Sequence, residues 1–98
     1  MSAELCLPPS AVSDKNACEL IRAWAAHGGL HCSLNVEAWP DDKAAIGWGI
    51  LLSDVARHVA DALKQSQGFE QPDTINQIRA VFNSELTAPT AHTKGGFT

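Results

Sequence analysis

The chain has 98 residues, a formal net charge of −4 and a pI near 5.4. Its 45% hydrophobic and 18% charged residues are typical of a globular protein rather than a disordered one. The seven basic residues are scattered and no two are adjacent. This argues against binding to nucleic acid or an anionic membrane surface, because such binding needs concentrated positive charge. No apolar run approaches the roughly 20 residues of a membrane span, and the first ten residues do not resemble a secretion signal.

The three cysteines, Cys6, Cys18 and Cys32, are an odd number with no close pair. They fit free thiols in a reducing compartment better than a disulfide framework, so we expect a cytoplasmic protein. We expect one globular domain over residues 1–86 and a flexible tail over residues 87–98, where small residues dominate without an apolar stripe. So short a chain has a modest core, which favours a homodimer.

The first half of the chain predicts a weak strand followed by a helix. The first dozen residues should be extended, because Pro8-Pro9 disfavours a helix and Leu5 and Leu7 alternate with their neighbours. A helix is then predicted from Ser13 or Asp14 to about His27, closed by Gly28-Gly29. Its apolar face comprises Ala17, Leu20, Ile21, Trp24 and Ala25.

Beyond these glycines the apolar period changes from 3.6 to 2, which predicts a strand over residues 30–36. The hydrogen-bonding groups of this strand need a partner, either the weak N-terminal strand or the same strand of a second copy. We favour the second copy, because the strand would otherwise be a long exposed edge. Leu34 is therefore a candidate interface residue.

Two helices are predicted in the second half. Residues 48–63 form a clean amphipathic stripe, with Asp41 or Asp42 as the N-cap and Gly68 after the last turn. Gly47 and Gly49 mark either the start of this helix or a close backbone approach. A third helix is predicted from about Asp73 to Leu86, capped by Asp73 or Thr74, with a buried stripe of Ile75, Ile78, Phe82 and Leu86. The predicted fold class is α+β: three helices packed on a minimal sheet with one convincing strand, in the order (β)αβαα.

A polar cluster on the central helix is the first candidate site. Asp54, Arg57, His58 and Asp61 are three or four residues apart, so all can interact on one helix. A carboxylate beside an imidazole suits a general base or a metal partner. The favoured interpretation is a solvated face with exposed ion pairs, each contributing about 0.3–0.5 kcal/mol.

Metal binding is the second candidate. His27, His31 and Cys32 lie within six residues and could form a tetrahedral site with His58. Against this, His31 and Cys32 point to opposite faces of a strand, and Cys32 lies on the apolar face, where a free cysteine behaves as a hydrophobe. We therefore expect no metal and no cofactor.

The tryptophans are the third set. Trp24 and Trp48 lie on the apolar stripes of the first two predicted helices, which indicates core packing between them. Trp39 and Ile50 are predicted to belong either to an interface patch or, for Trp39, to the covering of a loop.

The segments CELIRAWAAHGGLHCSLNVEAW and WGILLSDVARHVADAL resemble a family of small bacterial proteins, domain of unknown function 5076. The resemblance covers roughly residues 5 to 86, and it implies a bacterial, stand-alone protein without assigning an activity or a functional residue.

The chain contains no G-x-G-x-x-G, Walker, G-x-S-x-G or H-E-x-x-H motif. We therefore expect a non-enzymatic homodimer with an accessory or regulatory role, with a further protein partner left open. The alternative is a small-molecule or metal-dependent site, hydrolytic in one version, built on Asp54, His58 and Asp61.

Overall fold

The computed structural model describes residues 3–90, which form two compact units. The hairpin unit, residues 3–35, contains α1 (Pro9–Ser13), β1 (Ile21–Ala26) and β2 (Gly29–Leu34). The helical unit, residues 36–90, contains α2 (Ala44–Gln67) and α3 (Gln71–Thr87). Helices with a small antiparallel sheet confirm the α+β class. The single domain over residues 1–86 stays a prediction, and the predicted tail falls largely on residues 91–98, outside the described residues.

The helix predicted between residues 13 and 27 is wrong, because its second half is strand β1. β1 pairs antiparallel with β2, with Ile21 opposite Leu34 and Ala26 opposite Gly29. The alanines of this segment favour a helix locally. The predicted strand after them needs a hydrogen-bonding partner, however. β1 supplies it within the same chain, so the prediction that this partner is the N-terminal strand or, as favoured, a second copy is wrong for this edge of β2. The Leu30–Val36 prediction is confirmed as a strand, observed at Gly29–Leu34.

The two residues between the strands form the turn. His27 has φ of 50° and Gly28 has φ of 74°. Positive φ at both central residues is the signature of the type I′ turn, whose twist matches that of paired strands. Of the two glycines that predicted a helix end, Gly28 therefore belongs to a two-residue hairpin turn and Gly29 begins β2.

The N-terminal segment also differs from the prediction. Residues 3–8 contain no strand, and α1 begins at Pro9, a first helical position where the missing proline N–H costs nothing. Asp14 is the C-cap of α1 rather than the predicted N-cap of a helix, and its Oδ1 accepts a hydrogen bond from the Asn16 N–H at 2.9 Å.

Trp39 determines how α2 begins. Residues Asp41–Lys43 form a 3₁₀ helix and Lys43 occupies the N-cap position, so the predicted Asp41 or Asp42 cap is wrong. The Trp39 ring packs edge-on against Trp48, with ring centroids 5.3 Å apart. It also lies so close to Gly47 that a Cβ there would be 2.6 Å from Trp39 Cε2. In place of the predicted close backbone approach, Gly47 therefore makes a close contact with the Trp39 ring, and α2 begins before both glycines, at Ala44.

The loop between α2 and α3 is fixed by local bonds. Gly68 has φ of 76° and its N–H donates to the Lys64 carbonyl at 2.9 Å, which confirms the predicted helix end. Glu70 is the N-cap of α3 and makes no side-chain capping bond, so the predicted cap at Asp73 or Thr74 is wrong. Gln71 Nε2 donates to Asp61 Oδ1 at 2.8 Å, tying the start of α3 to α2.

α3 packs along one edge of the apolar stripe of α2 rather than over its centre. Among the described residues, Ala60 is the only apolar side chain that is fully buried, at 1% exposure. Small residues beside it, Gly49, Ser53 and Ala56, line a cleft of about 270 Å³ with Ile78 and Phe82. The predicted buried stripe of α3 is half right: Ile75 and Ile78 are half-buried, while Phe82 and Leu86 are exposed.

Candidate functional site

The polar cluster of α2 divides into separate local pairs. Asp54 forms an ion pair with Arg57 through Arg57 Nη2. Asp61 accepts hydrogen bonds from two amides, Gln65 Nε2 at 3.2 Å and Gln71 Nε2 at 2.8 Å. Both carboxylates are exposed and are engaged by donors other than His58.

His58 is exposed on the same side of α2, and within residues 3–90 its ring makes no hydrogen bond to Asp54 or Asp61. The carboxylate–imidazole pair that would orient and charge a general base is not formed. What the geometry provides is a solvated helix face with short-range pairing. A chemical role for Asp54, Arg57, His58 and Asp61 stays a prediction.

The histidines of the hairpin unit lie near one another. The rings of His27 and His31 are 6.3 Å apart and edge-on, and His31 Nε2 is buried without a hydrogen-bond partner among residues 3–90. Cys32 follows on the opposite face of β2 and is a free, half-buried thiol. In the described part of the chain no group of three or more metal-ligating side chains comes together.

Arg22 fastens the N-terminal segment to the hairpin. Its guanidinium pairs with Glu4 and, at 3.0 Å, with Glu19. The hydrogen bond to Glu19, and then the charges of both carboxylates, raise the pKa of Arg22 above its ordinary value. Residues 3–8 and β1 together line a cavity of about 540 Å³.

The three tryptophans have separate environments. Trp24 lies on β1 opposite His31 and is 37% exposed, so its predicted place on a helix is wrong. Trp48 instead packs against Trp39, which is half-buried.

Of the predicted interface residues, Ile50 is exposed and Leu34 is half-buried at the end of β2. Trp39 packs against Gly47 and Trp48 in the first turns of α2. The interface role of all three residues stays a prediction.

A row of apolar side chains along the helical unit is the feature that sequence reasoning missed. Leu52, Val55 and Val59 lie on one side of α2 and each is 40% exposed or more. The cleft beside Leu52 shares Ile78 and Phe82 with a groove on α3 that also contains Val81. The apolar groups therefore continue across both helices. We call this surface the helical-unit face, defined by Leu52, Val55, Val59, Val81 and Phe82.

The apolar arc of α2 contained a signal for this face. The arc is wider than the strip that one antiparallel helix can cover. The uncovered part of the arc therefore indicates a further packing partner.

The chain belongs to the family Domain of unknown function (DUF5076), whose model matches residues 4–90. It is also similar to a solved structure described as a "putative pyruvate dehydrogenase from the photosynthetic bacterium Rhodopseudomonas palustrus CGA009". The two share 28% sequence identity and a TM-score of 0.70, over 100% of this chain and 97% of that one. The name belongs to that protein, and likeness of fold does not extend it to this chain. No curated protein sequence matches the chain.

Among residues 3–90, no helix has both the length and the apolar character that crossing a membrane requires.

Proposed function

We propose that this chain is a homodimeric interaction domain with a non-enzymatic, accessory or regulatory role. The observation that carries the proposal is the balance of burial. Within residues 3–90 a single apolar side chain, Ala60, is fully buried, whereas fifteen large apolar side chains are exposed.

This balance does not suit a stable monomer. Ordering one residue costs about 1–2 kcal/mol of backbone entropy, and burying a large apolar side chain returns about 1.5–3 kcal/mol. A pair of helices with one fully buried apolar side chain, that of Ala60, recovers little of this cost through its own packing. Further burial of the helical-unit face must therefore accompany folding.

A second copy is the partner that best fits this requirement. If the chain must bury more apolar surface to fold, its partner must be available whenever the chain is synthesised. A second copy of the same chain always meets this condition. A closed two-fold dimer also uses the same apolar surface on both subunits and so leaves neither exposed.

The area of the helical-unit face is consistent with part of such an interface. α3 has 17 residues, which gives a length of about 25 Å. Two adjacent helices present a face about 20 Å wide, or about 500 Å² per copy, against about 800 Å² in a standard interface. The helical-unit face therefore supplies more than half of a standard interface, and a second region would complete it.

The test is thermal unfolding of the whole chain over a hundredfold range of concentration, monitored by circular dichroism. If folding is coupled to dimerisation, the Tm should rise steadily with protein concentration, because mass action favours the dimer. A concentration-independent Tm with a monomer mass in sedimentation would overturn the proposal.

We further infer a bacterial, cytoplasmic protein. The family resemblance supports the bacterial origin, and the free thiols of Cys6, Cys18 and Cys32 suit a reducing compartment. Locating the tagged full chain by fractionation of a bacterial host tests the compartment, and recovery from an oxidising compartment would contradict it.

A further inference from the structure

Strand β2 has one edge paired with β1 and another edge that pairs with no strand among residues 3–90. Leu20 and Asn35 continue the β1–β2 ladder as a hydrogen-bonded pair, since the Asn35 N–H donates to the Leu20 carbonyl at 2.9 Å. Hydrogen-bonded and non-hydrogen-bonded pairs alternate along an antiparallel ladder. Leu30, Cys32 and Leu34 occupy the non-hydrogen-bonded positions, so their N–H and C=O groups point away from β1.

The outer edge of β2 lacks the usual protection against pairing with another strand. Its sequence, GLHCSL, has no proline, no lysine and no acidic residue, which are the devices that natural edge strands use. On β1, Arg22 pairs with Glu4, and residues 3–8 line a cavity together with β1. Among residues 3–90, the outer edge of β2 therefore has backbone groups that no strand pairs.

The side chains along the outer edge of β2 are complementary to those of the same edge in a second copy. Leu30, Cys32 and Leu34 share one face of the hairpin, because alternate residues of a strand point to the same side. Leu30 is 60% exposed there, while Cys32 and Leu34 are half-buried. An antiparallel second copy centred on Cys32 would place Leu30 opposite Leu34 and each Cys32 opposite the other. In that register each copy donates three N–H groups across the seam and accepts three.

We propose that β2 pairs antiparallel with β2 of a second copy about a two-fold axis at Cys32, forming a four-stranded sheet across the dimer. This seam rests on the proposed homodimer and names where the two copies join. It covers Leu30 and satisfies the outward backbone groups of β2.

The position of the axis can be tested by thiol cross-linking. Cα atoms of a hydrogen-bonded antiparallel pair are about 5.5 Å apart, within the roughly 4.4–6.8 Å that a disulfide spans. In the Cys6→Ser/Cys18→Ser protein, in which Cys32 is the one remaining thiol, mild oxidation with diamide should convert more than half of the dimer to a covalent dimer. The product is measured by intact mass and non-reducing electrophoresis.

The matched controls move this thiol by one residue in either direction. Ser33→Cys with Cys32→Ser places each thiol opposite His31 of the second copy. The other thiol, at position 33 of the second copy, then lies diagonally about 8 Å away. That variant should give less than a tenth of the covalent dimer. His31→Cys with Cys32→Ser is spaced equally badly and should behave in the same way. Cross-linking of all three by random collision, or preferentially at position 31 or 33, would overturn the seam.

Native mass spectrometry of the same samples separates failure of the seam from failure of the proposed function. A non-covalent dimer that does not cross-link at Cys32 would support the homodimer and contradict the β2 seam. A monomer would contradict both the homodimer and the seam. A dimer that cross-links selectively at Cys32 supports both.

Discussion

The two sides of α2 differ in how their side chains are satisfied. On the polar side, Asp54 pairs with Arg57 and Asp61 binds Gln65 and Gln71, so each carboxylate finds donors within the chain. On the apolar side, Leu52, Val55 and Val59 remain 40% exposed or more. The unmet requirement of this molecule is therefore apolar burial rather than charge pairing.

The largest effect is expected from a charge placed on the apolar side of α2. Val55→Asp should raise the dimer Kd at least a hundredfold, about 2.7 kcal/mol, because a carboxylate buried without a partner is strongly unfavourable. Sedimentation equilibrium measures the change.

The matched control for this substitution is His58→Asp, at an exposed position on the polar side of the same helix. Surface changes of this kind alter stability by about 0.5 kcal/mol or less. Equal effects of Val55→Asp and His58→Asp on the Kd would show that the apolar side is not the interface.

A second comparison uses the glycines on either side of Trp48. A Cβ at Gly47 would lie 2.6 Å from Trp39 Cε2, whereas a Cβ at Gly49 meets nothing within 4 Å. Gly47→Ala should therefore lower the free energy of unfolding by about 1–3 kcal/mol. Gly49→Ala should raise it by up to about 1 kcal/mol, because alanine favours a helix more than glycine does.

Urea denaturation monitored by tryptophan fluorescence measures both free energies of unfolding. If Gly47→Ala proved as stable as Gly49→Ala, the packing of Trp39 on the start of α2 would be wrong. Trp39→Ala in the Gly47→Ala background should restore part of the loss, since it removes the clashing ring.

A smaller effect is expected on the polar side. The Asp54–Arg57 pair joins exposed side chains three residues apart on one helix, so its coupling should be about 0.3–0.5 kcal/mol. A double-mutant cycle with Asp54→Ala and Arg57→Ala measures it. A coupling above about 1.5 kcal/mol would mean that these charges are buried in the assembled protein and would reopen the polar cluster as a site.

The smallest effect concerns pH at the end of α3. The Thr90 N–H and hydroxyl donate to Glu85 Oε1 at 3.0 Å and 2.8 Å, and these bonds, the backbone one first, lower the pKa of Glu85 below its ordinary value near 4.5. Because the folded-state pKa is the lower one, the stabilisation is present above the ordinary value and is lost as the pH falls through the folded value.

An NMR titration of the Thr90 amide should therefore show a midpoint below 4.5. Thr90→Pro, which removes both donors, should return the Glu85 carboxyl toward its ordinary titration. A wild-type midpoint at or above the ordinary value would show that this contact does not form in solution.

The helical unit was largely predictable because its signals are long and repeated. The glycine that ends α2 and the apolar periods of α2 and α3 are local features of the sequence. They therefore predict the two helices whatever the helices pack against. The ion pair of Asp54 with Arg57 is local in the same sense. The bond between Asp61 and Gln71 is not, because it depends on the chain reversing at Gly68.

The hairpin unit was less predictable because its structure is decided by pairing rather than by local preference. Ala23, Ala25 and Ala26 favour a helix by themselves, and a glycine pair can end a helix or form a turn. Only the requirement that β2 find a partner selects the strand. The contact of Trp39 with Gly47 was equally hidden, since a single glycine does not reveal which ring will lie against it.

Native mass spectrometry of the untagged, gently purified chain tests the central claim most directly, because it reports subunit number and retained ligand together. A dimer carrying no additional mass is the result expected if the exposed apolar side of α2 is covered by a second copy. A monomer that carries a stoichiometric small molecule would contradict this account and return attention to Asp54, His58 and Asp61.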